Sequence, residues 1–353
     1  MTSVTDIDTP ALVIDQARAL HNITTFQQHC DEAGLQLRPH IKTHKTIYFT
    51  RKQLDAGATG ITCQKIGEAE IMADAGVQDI LITYNIFGSA KLNRLKALLH
   101  KIESLSVTVD NLTVIEGISS VMAAEKKPLG ALVECDTGAA RCGVQTPEEA
   151  LQLAQLIAGK PGLTFKGLMT YPAAGGAANS ASFMKQTIKL LTQAGMDCPV
   201  VSTGGTPDMW SAATQAVFTE YRIGTYIYND RSLIERGTCQ EQDCAAQVHV
   251  TVVSTPTPER AVIDAGSKVL TSDLSGLTGY GYVVGHPDAS IEKLSEEHGV
   301  LKINPAAGII PGDRLRIIPN HVCVVSNMLD SVWLADDKGS ATPLPVDARG
   351  RVL

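Results

Sequence analysis

From residue 37 onward, short apolar runs rich in β-branched residues alternate with longer stretches in which apolar positions recur every three or four residues. The first kind of run suits a buried strand, and the second suits a helix laid along one face of a sheet. Eight runs of the first kind occupy residues 37–41, 59–63, 79–83, 105–109, 130–135, 164–170, 199–203 and 221–228. Amphipathic stretches at 65–75, 90–102, 147–157 and 181–194 lie between them, with Gly or Pro at most junctions. Eight βα units in about 200 residues predict a closed (β/α)8 barrel. An open doubly wound sheet is the competing fold, but no G-x-G-x-x-G follows the first run, so a dinucleotide-binding fold has little support.

The texture changes after Gly237. Short runs at 248–254, 260–264, 281–284, 300–304, 314–318 and 332–335 follow one another across Gly and Pro turns, without helices of barrel length. This pattern predicts an α/β barrel domain over residues 16–237 and a separate all-β domain over 238–353. The opening run at 11–15 is able to pair with either, so residues 1–15 are left open to join the β domain.

Composition narrows the classes. Of 353 residues, 44% are hydrophobic and 19% charged, which fits a globular chain with a large core. With few aromatic residues, packing must rest on Ile, Leu, Val and Ala, as in parallel sheets. The net charge of −7, without clustered Lys and Arg, argues against nucleic acid as a partner. No apolar stretch approaches about 18 residues, so no membrane span is expected. The start, MTSVTDIDTP, lacks a basic region and an apolar core, so the expected location is cytoplasmic. Eight cysteines without a CxxC pair are then expected to be reduced thiols.

Functional residues of such a barrel gather at the C-terminal ends of its strands. The stretch LRPHIKTHK closes the first run with His40, Lys42, His44 and Lys45. A lysine at the end of a buried strand loses its proton at modest cost, because desolvation and neighbouring cations both disfavour ammonium, and it is then able to form a Schiff base. A solvated basic turn is the plain alternative. Polar residues also end the later runs: Glu134, Asp136 and Arg141 after the fifth, Tyr171 after the sixth, Ser202, Thr203, Gly204, Gly205 and Thr206 after the seventh, and Arg222, Gly224, Thr225 and Tyr226 in the eighth. The run VVSTGGT, with Gly224 and Thr225, is the best phosphate cradle in the chain, since glycines admit backbone N–H groups to an anion. A lysine opposite a phosphate cradle describes a barrel for a phosphorylated carbonyl cofactor.

The motifs PHIKTHK, VECDTGAARCGV, STGGT, YRIGTYIYND and PNHVC, in this order, resemble the D-threonine aldolase and eukaryote-type D-serine dehydratase family over nearly the whole chain. The resemblance implies an alanine-racemase-like fold and pyridoxal 5'-phosphate anchored on Lys42, with His40 and His44 as candidate supporting or catalytic groups. It also implies Arg141 beside the cofactor ring, Tyr171 on its pyridine side, and Thr203, Gly204, Gly205, Gly224 and Thr225 around its phosphate. His321 and Cys323 stand two apart, so on a strand both would face one way and grip one ion. An imidazole and a thiolate suit zinc. The resemblance implies a metal there that holds the substrate's β-hydroxyl, with Mn or Mg as the other candidates. Asp330 is a candidate support for that region, while His249 reads as a sheet residue and His286 and His298 as loop residues.

A metal-assisted lyase acting on D-β-hydroxy-α-amino acids is the leading expectation, by retro-aldol cleavage to glycine and an aldehyde. Dehydration of D-serine or D-3-hydroxyaspartate to a 2-oxo acid and ammonia is the alternative with the same parts. A non-enzymatic pyridoxal-phosphate-binding protein is weakened by the long β region, and a racemase would need a second base and no metal. Analogy with the wider fold implies a homodimer.

Overall fold

Each of the eight apolar runs overlaps a parallel strand, the first at Leu37 alone. In the computed structural model, which describes residues 2–353 apart from the side chains of residues 212 and 213, these strands are Gln36–Leu37, Ile61–Cys63, Asp79–Ile82, Ser104–Val109, Leu129–Cys135, Leu163–Thr170, Val200–Gly204 and Glu220–Arg222. They pair in chain order from the second to the eighth, and the eighth pairs with the first. The seam between first and second strands closes through a parallel bridge from His40 to Thr62. Thr62 N–H donates to the Pro39 carbonyl at 2.7 Å, and Ile41 N–H donates to the Thr62 carbonyl at 3.0 Å. Pro39 has no N–H to return, which keeps this seam thin. The sheet is therefore a closed barrel.

The eighth strand is shorter than the run at 221–228 predicts. It stops at Arg222, and Thr225–Ile227 turns into a 3-10 helix, with Tyr228 and Asn229 N–H both donating to the Thr225 carbonyl. The helices follow the expected logic. Pro147–Gly159 starts on a capping box in which the Thr146 side chain accepts from Glu149 N–H while the Glu149 carboxylate accepts from Thr146 N–H, with proline at the first helical position. Leu129–Cys135 is buried at every residue, as a strand covered on both faces must be. Leu81, Leu132 and Met169, from the third, fifth and sixth strands, share one buried cluster.

By compactness the chain divides into two units. The barrel unit comprises Thr25–Lys42, Ile47–Gly224 and Arg351–Leu353, and the β unit Met1–Thr24, Thr43–Thr46 and Thr225–Gly350. In the β unit, Ala246–Thr257, Arg260–Ile263, Gly299–Lys302, Ser290–Leu294, Tyr282–Val283 and Arg314–Ile318 pair in this order, and the last returns to the first, closing a six-stranded antiparallel ring. Val248, Val250 and Val252 are buried while their neighbours are less so, the period of two that one packed face requires. Ala11–Asp15 pairs antiparallel with Ala246–Thr257 and parallel with Ser331–Ala335, so the opening run belongs to this sheet. The strands Ser290–Leu294 and Ser340–Pro345 fall outside the apolar runs, because each buries a single residue.

Candidate active site

In the barrel unit the first strand delivers Lys42 half-buried, with no hydrogen bond or ion pair to its Nζ among the described residues. Its backbone N–H donates to His40 Nδ1 at 3.3 Å. His40 Nδ1 is then an acceptor, so Nε2 carries the proton and donates to Gln64 Oε1 at 3.1 Å. Gln64 is itself oriented by its amide, which donates to the Thr83 carbonyl at 2.7 Å. His40 therefore fixes the exit of the strand just ahead of Lys42.

Behind the rim, charged residues form a ladder through the barrel. Arg38 donates to Asp79 at 2.7 Å and to Glu220 at 2.6 Å. Ser202 donates to the other Glu220 oxygen at 2.6 Å and accepts from Arg222 at 2.5 Å, while Arg222 also donates to the Thr170 carbonyl at 2.9 Å. Burial would lower the Arg38 guanidinium, but Glu220 and Asp79 hold it well above its ordinary value. Burial pushes Arg222 down to about 10, against the pull of Glu220 and Glu134. Ser202 is thus occupied on both sides within the barrel, and Arg222, which the motif YRIGTY carried unassigned, is the buried cation of this rim.

The glycine pair of STGGT has a backbone reason for each member. A Cβ on Gly204 would overlap the Arg222 carbonyl of the next strand, and Gly205 sits at φ 118°, in the left-handed region. Gly205 N–H donates to that same Arg222 carbonyl at 2.9 Å, so this donor serves the barrel. A Cβ at Gly205 would lie 3.7 Å from the Tyr171 ring. Over that ring stands Arg141, its guanidinium carbon 4.8 Å from the centroid. Tyr171, Arg141 and Gly205 are hence one cluster. Beneath it Glu134 is buried, and burial raises its carboxyl despite Arg141 and Arg222. Asp136 organises the loop: burial would raise it, but the N–H groups of Gly138 and Ala140 hold it below its usual range.

The β unit gathers a second set. His321 and Cys323 do not lie on a strand. His321 is the N-cap of the helix Val322–Met328, in extended conformation at φ −140°, and Cys323 falls in that helix's first turn. The two side chains still meet within hydrogen-bond reach. Cys323 Sγ lies 3.1 Å from Thr43 Oγ1 and 3.6 Å from Thr225 Oγ1. The charge on Cys323 pushes the His321 imidazole up to about 11 against burial, with Asp230 adding to the effect. Asp230 Oδ2 lies 3.0 Å from His321 Nδ1. His44 and Lys45 belong to this unit: His44 Nδ1 accepts from Thr46 N–H at 3.1 Å, and Lys45, at φ 53° and 5% exposed, accepts from Ala348 N–H through its carbonyl. Tyr226 and Thr225 are both buried.

Other candidates resolve simply. Asp330 is exposed and pairs with Arg349 at 3.1 Å. His249 pairs with Arg316 and Ala11 in the sheet, where burial, and then the two arginines 316 and 314, push it down to about 4. His286 and His298 sit in turns. Asp230 escaped sequence reasoning; its place in the motif YIYND was visible, but its partner lies 91 residues away.

The donor set passes a chemical test for a metal. An imidazole and a thiol in contact are soft ligands for zinc. Among the described residues no group of three or more His, Cys, Asp and Glu is disposed to hold an ion, so two positions at least would remain for water or substrate. A half-buried amine with no other commitment likewise suits a cofactor carbonyl.

Residues 14–232 match the alanine racemase N-terminal domain family, and residues 245–335 the putative serine dehydratase domain family. With its barrel and antiparallel β unit, the chain is a member of the alanine-racemase-like, fold-type III class of pyridoxal-phosphate proteins. It is 32% identical to a D-threonine aldolase of Arthrobacter sp over 98% of this chain and 93% of that one. The crystal structure of D-threonine aldolase from Filomicrobium marinum superposes with a TM-score of 0.93 at 31% identity, covering 100% and 98% of the two chains. D-threo-3-hydroxyaspartate dehydratase from Delftia sp. HT23 does so with a TM-score of 0.90 at 28% identity, covering 98% and 99%. A cysteine-to-alanine variant of such a dehydratase is known in a metal-free form. The chain belongs to the family of D-threonine aldolases and D-serine dehydratases, whose members are pyridoxal-phosphate-dependent lyases.

Proposed function

We propose that this chain is a pyridoxal-phosphate and divalent-metal dependent lyase that cleaves D-β-hydroxy-α-amino acids to glycine and an aldehyde. The contact between His321 and Cys323, backed by Asp230, is the observation that carries this reading, because neither a racemase nor a cofactor carrier requires a paired imidazole and thiol. When bound, pyridoxal phosphate supplies an electron sink for charge at Cα and the metal a Lewis acid for the β-hydroxyl.

In this reading the Lys42 amine anchors the cofactor carbonyl, and its freedom from other partners supports that role. His40 aims it through the strand exit, and His44 steadies the loop that follows. Arg141 and Tyr171 flank the ring. Thr203, Gly204, Gly205, Gly224 and Thr225 receive the phosphate, with Ser202 and Tyr226 backing that region. His321 Nε2 and the Cys323 thiolate hold the metal, zinc by ligand softness, with Mn or Mg as competitors. A D-configured substrate, a homodimer and a cytoplasmic setting belong to the same proposal. Eight free cysteines agree with a reducing compartment.

Dehydration to a 2-oxo acid and ammonia is the second reading, favoured by Cys323 and the likeness to a dehydratase. Purified holoenzyme incubated with D-threonine and D-serine, with and without EDTA, separates them. Glycine with acetaldehyde marks the aldolase; 2-oxobutyrate or pyruvate with ammonia marks the dehydratase. No turnover of either substrate refutes both.

A further inference from the structure

Asp230 is completely buried, and the carboxylate is used on both oxygens. Oδ1 accepts from Ser232 Oγ at 2.6 Å and from Leu233 N–H at 3.3 Å, which caps the short helix Arg231–Glu235. Oδ2 accepts from Val322 N–H at 3.2 Å and lies 3.0 Å from His321 Nδ1. Two oxygens therefore do two jobs. One is ordinary capping; the other faces the imidazole.

We infer that Asp230 is a positioning residue that holds His321 in its metal-binding form. This rests on the reading of His321 and Cys323 as metal ligands. Oδ1 accepts from Ser232 and Leu233 and Oδ2 from Val322, so the carboxyl acts as an acceptor in its other contacts and the 3.0 Å contact places a proton on His321 Nδ1. Nε2 is then the nitrogen left for a metal. The same contact stops the ring from turning about its Cβ–Cγ bond, as a carboxylate behind a ligating histidine does in general. Backbone alone would not do this, because His321 is an N-cap in extended conformation rather than a helical residue. Asp230 thereby links the two chain segments, 229–235 and 320–328, at the one point where the ligand's orientation is decided.

Asp230→Asn separates the two jobs. An asparagine keeps an oxygen for Ser232 and Leu233 but presents an N–H2 group to Val322 N–H and His321 Nδ1–H, neither of which accepts from it. In competition with a chromophoric chelator, zinc affinity of the metal-stripped, cofactor-loaded protein is expected to fall about 10- to 100-fold in Asp230→Asn. Ser232→Ala, which removes one bond to Oδ1 and leaves both contacts of Oδ2 in place, is expected to stay within about twofold of wild type. Bound pyridoxal phosphate, read by its absorbance, is expected to stay at the wild-type level in both. If Asp230→Asn does not fold, ¹⁵N-histidine NMR of zinc-loaded wild type still decides: Nδ1 of His321 must carry the proton and Nε2 the metal. The reverse pattern, or wild-type zinc affinity in Asp230→Asn when His321→Ala has lost it, overturns the inference alone. Undiminished zinc binding in His321→Ala overturns the metal reading and the inference with it.

Discussion

The barrel unit and the β unit treat buried polar groups in opposite ways. In the barrel, Asp79, Arg38, Glu220, Ser202 and Arg222 form a run in which each member is satisfied by the next, ending on the Thr170 carbonyl. In the β unit, Asp230 leads to His321 and His321 to the Cys323 thiol, so the run ends on an imidazole and a thiol instead of a backbone carbonyl. A run that closes on the backbone builds a scaffold; a run that stops at a side chain leaves a group for chemistry. In the barrel, the amine of Lys42 is such a stop.

The sharpest way to break this contrast is to remove the two stops. Lys42→Ala is expected to lower turnover at least about a thousandfold, since covalent anchoring is lost. Borohydride trapping should label the peptide containing Lys42 in wild type and in Lys45→Ala; a label on Lys45 would reverse the assignment. His321→Ala is expected to lower turnover about a hundredfold or more and to abolish sensitivity to EDTA. A variant that keeps full EDTA-sensitive activity would place the metal elsewhere.

Breaking the scaffold should be felt in stability instead. Glu220→Gln leaves the buried Arg38 with a weaker partner and is expected to cost about 3 kcal/mol in urea unfolding, with metal affinity unchanged. His249 provides the mildest test. Its folded value near 4 lies below the unfolded value of about 6.5, so above that pH it is neutral in both states and contributes nothing. As pH falls from about 6.5 to about 4, the unfolded chain takes up a proton that the folded chain refuses, and stability declines. His249→Gln should flatten that decline by about 1 to 2 kcal/mol; an equally steep profile would show that the imidazole is not the cause.

The barrel was legible because the signal for each strand is local. Runs such as LGALVEC and LTFKGLMT are mostly apolar, and Thr146, Pro147 and Glu149 announce a helix within four residues. The β unit was less so. Ser290–Leu294 looks like a surface loop because it buries only Ile291. The segment NHVC reads as a strand by alternation, yet the Val322 N–H finds Asp230 and the chain turns into a helix there. Asp330 was the nearer carboxylate in sequence, but Asp230 is the one that meets His321, and only the fold brings residues 91 apart together. The same holds for LRPHIKTHK: its charge density marked the place, whereas the partners of its two histidine rings, Gln64 and Thr46, are set by the fold.

The pairing of Ala11–Asp15 bears on how the chain is made. Four of its five residues are buried, and Ile14 pairs with Ala246, so its first sheet partner lies about 230 residues downstream. At roughly 5 to 20 residues per second on the ribosome, this apolar strand waits on the order of 10 to 50 s for that partner while the barrel segments emerge. Throughout that interval it is an unpaired edge in a nascent chain, and a chaperone that captures it would shield an apolar strand from early aggregation.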